Sequence, residues 1–227
     1  MNLDKKYYIE FAGAHGAGKT FIYHAIAKQQ LLKPYKSIYP AQVKRSKLHF
    51  ILSCPIIAFK NFFHILFILS FFFRYAKLNL LNFKVLRVLI KMIILHPYYY
   101  HFDFNVFLKD DMLHMTQRII FKKKIDLNKV FNEYLTHFSY LYDGLIFVDI
   151  EKKIMRNRFK KRFPGKSEAF KKNRAIIHER VKKQSKFLRK VVTSQTKVPF
   201  LIINGSDDVN QNVQKIILFF NQRIIRK

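Results

Sequence analysis

The chain is poor in the residues that many protein classes depend on. Its 227 residues hold no tryptophan, one cysteine, six glycines and six prolines. The lone Cys54 excludes a disulfide framework within the chain and fits a reducing compartment; beside Pro55 in an apolar run it reads as a small core residue rather than a nucleophile. No internal repeat or low-complexity linker is present. Acidic residues are also scarce, with 14 Asp and Glu against 43 Lys and Arg, for a formal net charge of +29. Such a field draws polyanions, whether nucleoside triphosphates, nucleic acid or an anionic membrane. A drift towards lysine with solvated side chains would give the same number. No zinc-finger spacing or aromatic RNA-binding signature accompanies the charge, so specific nucleic-acid binding is not expected. The nine histidines show no metal-ligand spacing, and no G-x-S-x-G elbow points to hydrolase chemistry. Met1 to Lys6 is short and polar, so no secretory leader is expected before the first strand, and the expected location is cytoplasmic.

Against these absences stands Gly13-Ala14-His15-Gly16-Ala17-Gly18-Lys19-Thr20, which meets G-x-x-x-x-G-K-[ST] at every fixed position. Glycines let the backbone wrap a phosphate chain with its N–H groups inward, and the helix that follows adds its positive end. Lys19 is then placed for the β- and γ-phosphates of ATP, and the Thr20 hydroxyl for Mg²⁺. A buried strand at 7–11 before the loop and a helix from Thr20 to Gln30 after it complete the context.

With half of its residues apolar, the chain can build a sizeable core. Further strands are expected at 36–39, 105–108, 144–150 and 199–204. The intervening helices are expected through Phe121, over 127–141, 151–162 and 168–192, and from Asp207 or Asp208 to about 222. His96 to His101 reads as a connector. Alternation of strand and helix predicts an α/β fold with a parallel sheet covered on both faces. One domain over 1–227 is expected, with a Phe-rich helical insertion at 41–101. Residues 47–96 carry no acidic residue, and three readings of them compete: buried helices, an amphipathic segment on a membrane surface, and a transmembrane helix.

Asp110 and Asp111 follow a buried strand, where ligands bind in open α/β sheets, and can hold Mg²⁺ or orient an acceptor; the alternative is a helix cap. Arg156, Arg158 and Arg162 share a predicted helix before the Phe163-Pro164-Gly165 break, which makes 156–172 a candidate lid able to neutralise a transferring phosphoryl group. A solvated basic face is the competing account. Asn204 and Gly205 follow the last strand, where they stand near the nucleotide in such an architecture.

Three stretches, Tyr7 to Thr20 (YYIEFAGAHGAGKT), Asp143 to Arg162 (DGLIFVDIEKKIMRNRFKKR) and Pro199 to Val209 (PFLIINGSDDV), together resemble the P-loop kinases of the nucleoside monophosphate kinase type, most of all the thymidylate kinase-like group. The resemblance implies a three-layer P-loop NTPase fold with five parallel strands in the order 2-3-1-4-5, and transfer of phosphate from ATP with Mg²⁺. Taken with the strand-end position of Asp110 and Asp111, the expected catalytic residues are Lys19, Asp110, Asp111, Arg158 and Arg162. The loop Gly13 to Thr20 with Arg156, Asn204 and Gly205 would bind nucleotide, and Thr20, Asp110 and Asp111 would bind the metal. The chain departs from that group at Phe21, where a second Ser or Thr is usual, and at Lys109 to Met112, which lacks an Asp-Arg signature. The expected partners are a nucleotide and a small-molecule acceptor, and could include an anionic membrane surface through 47–96 at the inner face of the membrane and a second copy of the chain. A nucleotide-dependent regulatory ATPase on a membrane is the competing function.

Overall fold

A computed structural model of the chain describes residues 5–13, 16–38, 59, 61–99, 104–109, 116–138, 141–162, 176, 179, 182–187, 189–190, 193–194 and 198–225. The first strand, β1 (Tyr7–Gly13), is buried at every position and occupies the centre of the sheet. That explains why its sequence runs almost continuously apolar instead of alternating. It pairs in parallel with β3 (Val106–Lys109) on one side and with β4 (Gly144–Asp149) on the other. The short β2 (Ser37–Ile38) flanks β3, and β5 (Phe200–Asn204) flanks β4. The five strands thus follow the order 2-3-1-4-5, as a three-layer α/β P-loop fold requires.

Strand alternation gives each face its own core. Tyr7, Ile9, Phe11, Ile146 and Val148 pack with Ile22 and Ile26 of α1 (Lys19–Gln29) and with Val213 and Ile216 of the C-terminal helix Val209–Phe219. On the opposite face Ala12, Leu145 and Phe147 meet three helices: α2 (Phe62–Tyr75), α3 (Leu80–Tyr99) and α4 (Leu127–Phe138). Val130, Phe131, Tyr134, Leu135 and Phe138 form the buried stripe of α4, and the Asp126 carboxylate accepts from Asn128 N at 2.8 Å to cap it. A further helix, α5 (Lys152–Arg162), follows β4, and the C-terminal helix, α6, is capped by Asp208, whose side chain accepts from the N–H groups of Asn210 and Gln211. Residues 182–187, 189–190 and 193–194 are helical.

Two expectations need correction. The connector expected at 96–101 is helical as far as Tyr99, because Pro97 removes only one backbone donor from a helix already anchored by Val85, Leu86, Leu89 and Ile93. The helix expected to run through Phe121 is absent over 117–121, where Phe121 instead bridges Ala76. Asn82 provides the alternative: its amide accepts from Ile120 N and donates to Ile120 O and Lys77 O, satisfying backbone that a helix would otherwise pair. Cys54 lies outside the described residues.

His64 and His137 join α2 to α4 through a 3.1 Å ring-to-ring hydrogen bond, and His137 stacks on Phe67 at 3.7 Å. Only one ring donates, so at least one is neutral. Burial lowers both pKa values from 6.5, and for His137 the neighbouring His64 adds to the effect. The neutral forms are therefore favoured by folding. This contribution is complete above pH 6.5 and is lost as pH falls below it towards the folded-state values. The melting temperature is expected to drop on acidification below 6.5, and less in His137→Phe, which keeps the stack on Phe67. Thermal melts over that range check this; identical slopes for the two proteins would contradict it.

Candidate nucleotide-binding site

The loop between β1 and α1 is shaped by glycines in the left-handed region: Gly13 at φ +125°, Gly16 at +77° and Gly18 at +98°. Gly13 is also needed for space, because a Cβ there would stand 2.2 Å from the Val148 carbonyl oxygen on β4. Gly18 begins α1, so the N–H groups of the first turn open towards the loop, as an anion site requires. Lys19 follows it. Its side chain is buried, and its ammonium donates to Gly13 O at 3.1 Å, folding back across the loop. Thr20 is exposed next to it, and its hydroxyl accepts a long 3.5 Å bond from Tyr23.

Two other segments close on this loop. From α5, Arg158 donates through Nη1 to Gly16 O at 3.3 Å. From the end of β5, Gly205 approaches so closely that a Cβ would lie 2.0 Å from Ala17 O; its N–H donates to Asp149 O at 2.6 Å. Asn204 differs from its neighbour. Its carboxamide oxygen accepts from Ser206 N at 3.0 Å, so its side chain builds the turn into α6. Arg156 and Arg162 belong to α5, but their side chains lie outside the described residues, as do Ala14, His15, Asp110 and Asp111 altogether.

Sequence reasoning passed over a second group of polar residues. Asp149, the last residue of β4, accepts from Lys182 at 3.0 Å and from Arg189 at 2.7 Å. Burial pushes its carboxyl up, but the bond from Lys182, the Ile150 N–H and the charges of Lys182 and Arg189 outweigh it and hold the carboxyl below its ordinary value. Lys182 also donates to Ile150 O. A cavity of about 350 Å³ opens here, lined by Phe147, Asp149 and the helical residues Lys182, Ser185, Lys186, Arg189, Lys190 and Thr193. Among the described residues, four cations face one carboxylate there. The only signal in the sequence was the spacing of these cations at 182, 186, 189 and 190 along one helix face. Glu10 was also missed, although it stood out as an acid inside an apolar strand; it is fully buried in the middle of β1.

Among the described residues no group of three His, Cys, Asp or Glu could hold a metal by itself. Magnesium in phosphate sites usually takes few protein ligands and relies on phosphate oxygens and water, and the exposed Thr20 hydroxyl beside Lys19 fits that donor set. The glycine loop thus carries a lysine at one of its carbonyls and an arginine at another.

No family model matches the chain, and no curated protein matches it. The fold is similar to solved structures of deoxyadenosine kinase from M. mycoides. The structure with bound dCTP is 17% identical, over 94% of this chain and 98% of that one, with a TM-score of 0.45. The structure with bound dATP is 16% identical, over 95% and 100%, with a TM-score of 0.47. At these levels neither likeness identifies a substrate.

Gly205→Ala tests the packing of the β5 turn on the loop. The added methyl meets backbone at Ala17, so a loss of roughly 1–3 kcal/mol of stability is expected, with weaker nucleotide binding as the loop shifts. Chemical denaturation and nucleotide titration of the same variant check both; a variant as stable as the parent would contradict the contact.

Proposed function

We propose that the chain is a Mg²⁺-dependent phosphotransferase that moves the γ-phosphoryl group of ATP to a small anionic acceptor. The observation that carries this is the convergence of Lys19 and Arg158 on carbonyls of one glycine loop, at Gly13 and Gly16. Each cation donates to a carbonyl of the loop, and a phosphate forms the stronger bond to such a donor, since bonds between charged partners are about twice as strong. On binding, Lys19 would exchange Gly13 O for the β- and γ-phosphates. Arg158 would exchange Gly16 O for the transferring group. Arg162 and Arg156, from the same helix, would add charge as the 156–172 segment closes. Thr20 would hold Mg²⁺ together with phosphate oxygens, and Asp110 or Asp111, which come directly after β3, would supply a carboxylate; when bound, the ion would neutralise charge on the phosphates. The other aspartate would orient the acceptor. The acceptor oxygen forms a bond to the γ-phosphorus as the bond to the β–γ bridging oxygen breaks, and ADP leaves. Little covalent chemistry falls to the protein; positioning and electrostatics carry the step.

The cavity beside Asp149 supports an acceptor that is itself charged. Four cations against one carboxylate suit a phosphomonoester, such as a nucleoside monophosphate or a phosphorylated sugar or lipid-linked intermediate, better than a neutral nucleoside. The motif resemblance to thymidylate kinase-like enzymes supports the same class. A second reading, a nucleotide-dependent regulatory ATPase on a membrane, is favoured by the exposed phenylalanines of α2.

Incubation with γ-labelled ATP, Mg²⁺ and a panel of monophosphates, nucleosides and phosphosugars separates the two. Label is expected on a phosphorylated panel member, and Lys19→Ala should lower that transfer roughly a hundredfold or more. Label found only as free phosphate would overturn the kinase reading in favour of the second, and undiminished transfer by Lys19→Ala would overturn the site.

A further inference from the structure

The face of α2 that points away from the sheet is apolar. Its buried side consists of Ile68, Phe71, Phe72 and Tyr75. At helical spacing on the other side stand Phe62, Phe63, Leu66 and Phe73, continued by Phe59 before the helix; Phe59, Phe63 and Phe73 are 83%, 77% and 52% exposed. Phe72 links this stripe to α3, with ring centroids 5.9 Å from Phe73 and 5.5 Å from Phe83. On α3 the exposed Leu80 and Phe83 share a face with the exposed Lys84, Arg87 and Lys91, spaced three, four, seven and eleven residues from Leu80. An apolar row therefore runs beside a basic row. Aromatic rings in such numbers on one surface mark an interaction site rather than ordinary exposure.

Charge decides the occupant. Residues 47–96 hold seven Lys and Arg and no acid. The carboxylate of Glu133 on α4 is engaged by Arg74 at 3.0 Å and by the Tyr75 hydroxyl. A second copy of a chain with net charge +29 would bring like charges together across this face. Anionic lipid headgroups neutralise them while the acyl boundary takes the rings. Length decides the mode. Among the described residues no helix is long and apolar enough to cross a membrane. The 14 residues of α2 reach only about 21 Å, short of a bilayer core of about 30 Å. We infer that α2 and α3 form a docking surface that lies on an anionic phospholipid bilayer, with Phe59, Phe62, Phe63, Leu66 and Phe73 inserted at the interface and Lys84, Arg87 and Lys91 against the headgroups.

Co-sedimentation of the full chain with vesicles of phosphatidylcholine alone, or mixed with phosphatidylglycerol, tests this. The protein is expected to pellet with the mixed vesicles and much less with the neutral ones. Phe63→Ser with Phe73→Ser should cost roughly tenfold or more in vesicle affinity for each ring removed, while nucleotide binding in free solution stays unchanged. Replacing Lys84, Arg87 and Lys91 by glutamine should weaken binding to the mixed vesicles and flatten its dependence on salt. Both variants change exposed side chains, and circular dichroism melts establish that they fold. Failure to pellet with mixed vesicles would overturn the proposal, as would full binding by the phenylalanine variant. A lipid-free dimer, seen by light scattering and dissolved by those two serines, would assign the face to a second copy instead and equally overturn it.

Discussion

The site depends on two backbone contacts that leave no room for a side chain. Gly13 lies against the Val148 carbonyl, and Gly205 lies against the Ala17 carbonyl. The first lets β1 turn sharply into the loop while still paired with β4. The second fastens the end of β5 to the loop and, through Gly205 N, to the backbone of Asp149. Because all strands are parallel, their C-terminal ends share one edge, and these contacts draw the loops of that edge together. Lys19 and Arg158 meet at this loop from elements far apart in the chain, so the closure and not sequence neighbourhood brings them together.

The two sheet faces divide the remaining tasks. The α1 and α6 face is closed by Ile22, Ile26, Val213 and Ile216, and it fixes the helix whose N-terminus serves the loop. The α2, α3 and α4 face is packed with aromatic rings, such as Phe71, Phe131, Tyr134 and Phe138, and leaves further rings on its outer side. Helices α2 and α3 thus contribute both core and surface. Buried and exposed apolar faces coexist on α2.

Much of the fold was legible because its signals are local. The glycine pattern, the apolar runs of β1, β4 and β5 and the cap at Asp208 each sit within a few residues. Arg158 was singled out by its helix and its position after β4, and its guanidinium donates to Gly16 O at 3.3 Å. What escaped depends on distant partners. Asn82 reaches across 38 residues to hold Ile120 out of a helix, and Asp149 meets Lys182 and Arg189 from 33 and 40 residues away. No periodicity encodes such pairs. The Asn204 carboxamide oxygen accepts from Ser206 N, a bond within its own turn.

The central claim is that the loop from Gly13 to Thr20 is a polyphosphate cradle with Lys19 as its mobile cation. Calorimetric titration of the purified chain with ATP, ADP and AMP in the presence of Mg²⁺ tests it most directly. Affinity should fall in the order ATP, ADP, AMP, and the preference should vanish in Lys19→Ala. AMP binding as tightly as ATP, or an unchanged order in that variant, would contradict the account.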